Sequence, residues 1–65
     1  MTIEQLKNKH PIIDEIEEIS SEDETLYEVI FVLGGTKAFV GTEEERLTAI
    51  DEYCTRIESI IRDLK

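Results

Sequence analysis

Residues 11–20 read PIIDEIEEIS, and how this stretch folds decides how much cover the apolar middle of the chain receives. Ile12, Ile13, Ile16 and Ile19 recur at three- and four-residue spacings, which puts them on one stripe of a helix, with Asp14, Glu15 and Glu18 on the opposite stripe. Pro11 opens the stretch. It has no amide hydrogen and its ring crowds the carbonyl of Lys7, so a helix arriving from the N-terminal side kinks at His10 or restarts with Pro11 at its first position. Thr2 and Gln5, three residues apart, have capping-box spacing and mark the start of that helix, with Ile3 and Leu6 on one side. The expectation is one kinked N-terminal helix.

Downstream, Ser20, Ser21, Glu22, Asp23 and Glu24 offer nothing apolar to bury and read as a loop. Residues 26–33 are β-branched and aromatic and read as a strand, Gly34 and Gly35 as a two-residue turn, and residues 36–40 as the returning strand. Tyr27, Val29, Phe31 and Leu33 occupy one face of this hairpin, while Leu26, Ile30 and Val32 occupy the other, interrupted by Glu28. Both faces require cover.

Gly41 and Thr42 precede Glu43, Glu44 and Glu45, a hydroxyl cap followed by negative charge where the positive end of a helix dipole lies. The helix that follows carries Leu47, Ile50, Cys54, Ile57, Ile61 and Leu64 at alternating three- and four-residue steps, widened on one flank by Tyr53 and Ile60. Glu52 with Arg56, and Glu58 with Arg62, are favourably oriented i,i+4 pairs. The predicted fold is a single α+β domain over residues 1–65, a small α-β-β-α unit: kinked N-terminal helix, two-stranded antiparallel hairpin, long C-terminal helix.

A chain of 65 residues buries only about 60% of the surface its unfolded form exposes. The single cysteine, Cys54, rules out an internal disulfide, and one histidine with one distant thiol does not make a metal site. A second copy is therefore the expected supplement, pairing edge strands or covering the hairpin face, so the chain is expected to be a homodimer. The N-terminus lacks the basic flank and apolar run of a signal peptide, and no segment approaches the roughly 20 apolar residues of a membrane span, so a cytoplasmic location is expected.

Sixteen acidic residues against seven basic ones give a formal net charge of −9. Such a chain is repelled by phosphate, which opposes direct binding to nucleic acid or to an anionic membrane and favours a basic protein partner. Between Lys9 and Lys37 stand eight carboxylates and no Lys or Arg. If the helix over residues 11–20 runs on, Asp14, Glu15, Glu18 and Glu22 form one ridge, extended by Asp23 and Glu24. That ridge is the candidate acidic partner-binding surface, and Tyr27, Phe31, Phe39, Tyr53 and Ile60 are the candidate apolar one.

His10, Cys54, Tyr27, Tyr53 and the carboxylates form no catalytic set. Glu22, Asp23 and Glu24 lack the alternation and the glycine of a calcium loop, and Gly34-Gly35-Thr36-Lys37 lacks the length of a phosphate loop. No cofactor, metal or enzymatic activity is expected. The function read from the residues is that of a small acidic module which binds and modulates a partner protein. Two alternatives stand beside it: a nucleic-acid mimic, of the inhibitor type that phages and mobile elements encode, seated in a basic nucleic-acid site, and structural assembly through the long helix.

Overall fold

The computed structural model describes residues 1–64. The element order is α1 (Ile3–Lys9), β1 (Ile13–Ser20), β2 (Thr25–Phe31), β3 (Thr36–Phe39) and α2 (Glu43–Asp63). The three strands form one antiparallel sheet in the order β1-β2-β3, with the two helices against one face. This corrects the sequence expectation in one decisive place: the stretch beyond Pro11 is a strand, so the two-stranded hairpin becomes a three-stranded sheet and the order is α-β-β-β-α.

A β-bulge explains why helix-like spacing folds as a strand. Ile13 pairs with Phe31 and Glu15 pairs with Ile30, so Asp14 is an extra residue in the ladder. In an unbroken strand, residues three apart point to opposite faces. The added residue resets the alternation, so Ile13 and Ile16 both turn inward and are buried, and Ile19, three residues on with no second bulge, turns outward and is 43% exposed. Pro11 lies inside a turn closed by the Ile13 amide on the His10 carbonyl at 3.0 Å, a place where its missing amide hydrogen costs nothing.

The turn between β2 and β3 also departs from expectation. The Phe31 carbonyl accepts from the Gly34 amide and the Phe31 amide donates to the Gly35 carbonyl, so the loop is Val32, Leu33 and Gly34 rather than Gly34 and Gly35 alone. Gly34 (φ 104°) supplies the left-handed residue that closes a three-residue loop, and β2 ends at Phe31, leaving Val32 and Leu33 exposed at the tip.

Both helices open with reciprocal caps. The Gln5 amide donates to the Thr2 hydroxyl and the Thr2 amide to the Gln5 side chain, and Thr42 with Glu45 repeats the arrangement at α2. The core joins Leu6 of α1 to Ile13, Ile16, Tyr27, Val29 and Phe39 of the sheet and to Leu47, Ile50 and Cys54 of α2. Arg46 fastens the start of α2: its Nη1 donates to the carbonyls of Thr25 and Gly41 at 3.2 and 2.6 Å, and its guanidinium lies 4.3 Å from the Tyr27 ring centre.

Ile16→Ala is expected to cost about 2–5 kcal/mol of stability in chemical denaturation, and Ile19→Ala less than about 1 kcal/mol. Equal losses would mean that the two share one buried stripe, as on a helix.

Candidate functional site

The helices cover the sheet face that carries Ile16, Tyr27, Val29 and Phe39, and the alternation of the strands assigns the rest to the opposite, open face. There Glu15, Glu17 and Ile19 of β1 lie beside Leu26, Glu28 and Ile30 of β2, with Thr36 and Ala38 on β3. Leu26, Glu28 and Ile30, on the central strand, are half-buried, and the edge-strand residues are exposed.

Glu17 stands directly opposite Glu28 in the ladder. Like charges in that position repel across a short gap, and the ion pairs among the described residues include neither carboxylate. Glu15 differs from both, because Lys7 of α1 reaches it at 2.9 Å, and this bond holds its carboxyl below the usual carboxylate range. The open face therefore combines an apolar floor with uncompensated negative charge.

The acidic ridge expected from the sequence does not form, because the helix that was to carry it is a strand. Asp14 is the bulged residue, Glu15 faces the open side, and Glu18 points to the helix side, opposite Tyr27. Glu22, Asp23 and Glu24 occupy the tip of the β1–β2 hairpin, whose loop is closed by the Ser21 amide on the Glu24 carbonyl at 2.8 Å. Glu17 and Glu28, which the ridge omitted, belong to the open face.

The candidate apolar residues divide in the same way. Tyr27 and Phe39 are buried in the core, and Tyr53 packs between Phe31 and Phe39 at ring distances of 5.8 and 5.7 Å. Lys37 closes over this aromatic group, 5.1 Å from the Tyr53 ring centre. Ile60 is exposed, on the last turns of α2.

One polar cluster escaped the sequence reading. His10, 1% exposed at the end of α1, directs Nε2 to Asp51 Oδ1 at 2.7 Å and Nδ1 to Glu58 Oε1 at 2.9 Å, and Lys9 also binds Asp51. A carboxylate offers only lone pairs, so both contacts are hydrogen bonds when the ring carries both its protons. The imidazole thus bridges two turns of α2 and ties α1 to it. Cys54, between the two carboxylates in sequence, is buried, and its thiol is pushed up to about 11, first by burial and then by Glu58 and Asp51, which suppresses the thiolate. The signal for this cluster lay in α2 itself: Asp51 and Glu58 each follow a seam residue, seven positions apart, and carboxylates bordering a core seam need a cationic neighbour.

Among the described residues no group of three or more His, Cys, Asp or Glu is placed to hold a metal ion, and no helix is long and apolar enough to cross a membrane. No family model, curated protein or solved structure matches the chain.

The hydrogen bond from His10, followed by that from Lys9, lowers the Asp51 carboxyl below its ordinary range. A depressed carboxyl stabilises the fold at pH values above its unfolded pKa, and this contribution fades as pH falls through the lower folded value. Asp51→Asn is therefore expected to lower thermal stability at neutral pH, with the gap to the parent chain narrowing as the solution is acidified through and below the usual aspartate range. A gap that stays constant on acidification would show that the Asp51 charge does not stabilise the helix pair.

Proposed function

We propose that this chain is a small, acidic, non-enzymatic binding module that modulates a basic partner protein, acting as a homodimer and using the open face of its sheet as the contact surface. The observation that carries the reading is the Glu17–Glu28 pair. A fold that places two carboxylates side by side over an apolar floor keeps a repulsion that a Lys or Arg side chain from outside relieves on contact. Ile19, Leu26 and Ile30 supply the apolar part of such a contact, and the net charge of −9 steers a cationic surface toward it. Proteins that bind nucleic acid are one class of basic partner, so the mimic alternative is a special case of the same charge logic. Its helical ridge is absent, and its acids would have to act from a strand and a hairpin tip.

Glu17→Lys separates binding from folding. Opposite Glu28 it creates a cross-strand pair of unlike charges, expected to stabilise the domain by about 0.2–1 kcal/mol relative to a neutral pair, while a basic partner loses at least about tenfold in affinity. Affinity capture from a lysate of the source cell with the parent chain and with Glu17→Lys, followed by high-salt and duplex-DNA washes, reads both effects. Partners lost with Glu17→Lys and released by salt support the proposal, and release by DNA as well identifies a nucleic-acid-binding partner. Proteins retained equally by both chains and resistant to salt would overturn it.

A further inference from the structure

The molecule is longer than its chain length requires. Its radius of gyration is 12.0 Å, where a compact domain of 65 residues has about 10.7 Å, and its longest extent is 44 Å against 22 and 17 Å across. Its surface of 4636 Å² exceeds by roughly 400 Å² the value for a compact monomer of 7.5 kDa.

Apolar surface is left uncovered at the C-terminal turns of α2. Leu47, Ile50 and Cys54, the first half of the apolar seam, are buried on the sheet. Ile57 and Ile61 are only half-buried and Leu64 is 82% exposed, although they continue the same three- and four-residue spacing. Beside them the β2–β3 loop leaves Leu33 80% exposed. Between loop and helix runs an apolar groove of about 180 Å³ lined by Ile12, Phe31, Leu33, Gly34, Tyr53 and Ile57. Small-molecule sites start at about 300 Å³, so this groove suits a single aliphatic side chain used as an anchor.

The geometry points to a second copy of this chain as the occupant: two α2 ends pair antiparallel about a two-fold axis near Ile60 and Ile61, and Leu64 of each copy enters the groove of the other beside Ile57. This rests on the homodimer reading above and names its interface. Two features of the chain select that partner and orientation. The first is the seam, whose period is that of helix pairing and which the chain's own sheet covers only as far as Cys54. The second is charge. From residue 55 onward Arg56, Arg62 and Lys65 stand against Glu58 and Asp63, a net +1, so the remainder of the molecule carries −10. Antiparallel overlap of the tails joins segments free of net negative charge and holds the two acidic bodies at opposite ends, whereas parallel pairing sets them side by side. A contact made of one helix end and one groove per copy falls in the range of weak association, below about 1,200 Å², so the dimer forms and dissociates with concentration.

Sedimentation equilibrium of the whole chain from micromolar to millimolar concentration is expected to show a reversible rise from 7.5 kDa to twice that mass. Leu64→Asp and Leu33→Asp, both at exposed positions, are expected to weaken dimerisation at least about tenfold while leaving the melting temperature at low concentration unchanged. Under oxidation, Ile61→Cys, close to the axis, is expected to give a covalent dimer and Leu64→Cys is not, since buried Cys54 takes no part. A monomer at every concentration overturns both this interface and the homodimer reading. A dimer indifferent to both Asp variants overturns this interface alone, and cross-linking through Leu64→Cys instead of Ile61→Cys overturns the antiparallel arrangement.

Discussion

The bulge at Asp14 is the constraint on which the rest of the molecule depends. Alternation in a strand is strict, and a slip of one residue exchanges every side chain between faces. With Asp14 absorbed as the extra residue, Ile13 and Ile16 both reach the helices and the first strand acquires an interior side. That interior side turns β2 and β3 from a marginal hairpin into a sheet. It also provides the surface on which Leu6 settles, and so brings the end of α1, with His10, to the flank of α2. The same reset fixes Glu17 on the open face, opposite Glu28.

The long helix is anchored at two points by buried polar side chains of different kinds. At its start Arg46 gives both hydrogen bonds of Nη1 to main-chain carbonyls and lays its guanidinium on Tyr27, while its buried Nε has no hydrogen-bond partner among the described residues. At its middle the His10 ring spans Asp51 and Glu58. Apolar packing of Leu47, Ile50 and Cys54 is non-directional and tolerates small sliding of helix on sheet, whereas these bonds tolerate little. They fix where α2 sits along its axis, and therefore how much of it projects past the sheet.

The parts of this architecture that depend on neighbouring residues were legible in the sequence. The caps at Thr2 and Thr42, the seam of α2 and the polar loop after Ser20 are each written within a few positions. Residues 11–20 were not legible, because three-residue spacing is produced equally by a helix and by a strand with one bulge, and the choice is made by β2, whose unsatisfied edge lies a dozen residues away. The β2–β3 turn misled for a related reason: two adjacent glycines fit a two-residue turn, but pairing with β1 and β3 sets where β2 stops. For the binding surfaces the residue types were visible and their sides were not. Eight carboxylates with no cation among them announced an acidic surface, yet only the register separates Glu15, Glu17 and Glu28 from Glu18. Tyr27 and Phe39 offered themselves as contact residues by type and lie in the core by alternation. His10 meets Asp51 and Glu58 across 41 and 48 positions, a distance at which a single sequence carries only the indirect sign of two carboxylates beside a seam.

The division of charge between the two ends makes the two proposed contacts independent. The open sheet face is negative and half apolar, and the projecting end of α2 is apolar with a slight positive excess, so neither surface is a good partner for its own kind of competitor. Like-charge repulsion between the acidic bodies opposes close association, so the proposed self-pairing through the tails is weak. The proposed tail-to-tail pair carries one open face on each of its two separated bodies. Such a pair gains avidity only from a partner whose basic sites are spaced to meet both faces at once, because effective concentration falls to nothing when the span does not match. In the proposed dimer the geometry of pairing is a selectivity filter: a solitary basic patch meets one face with the modest affinity of a single contact, and a repeated basic surface is held by two.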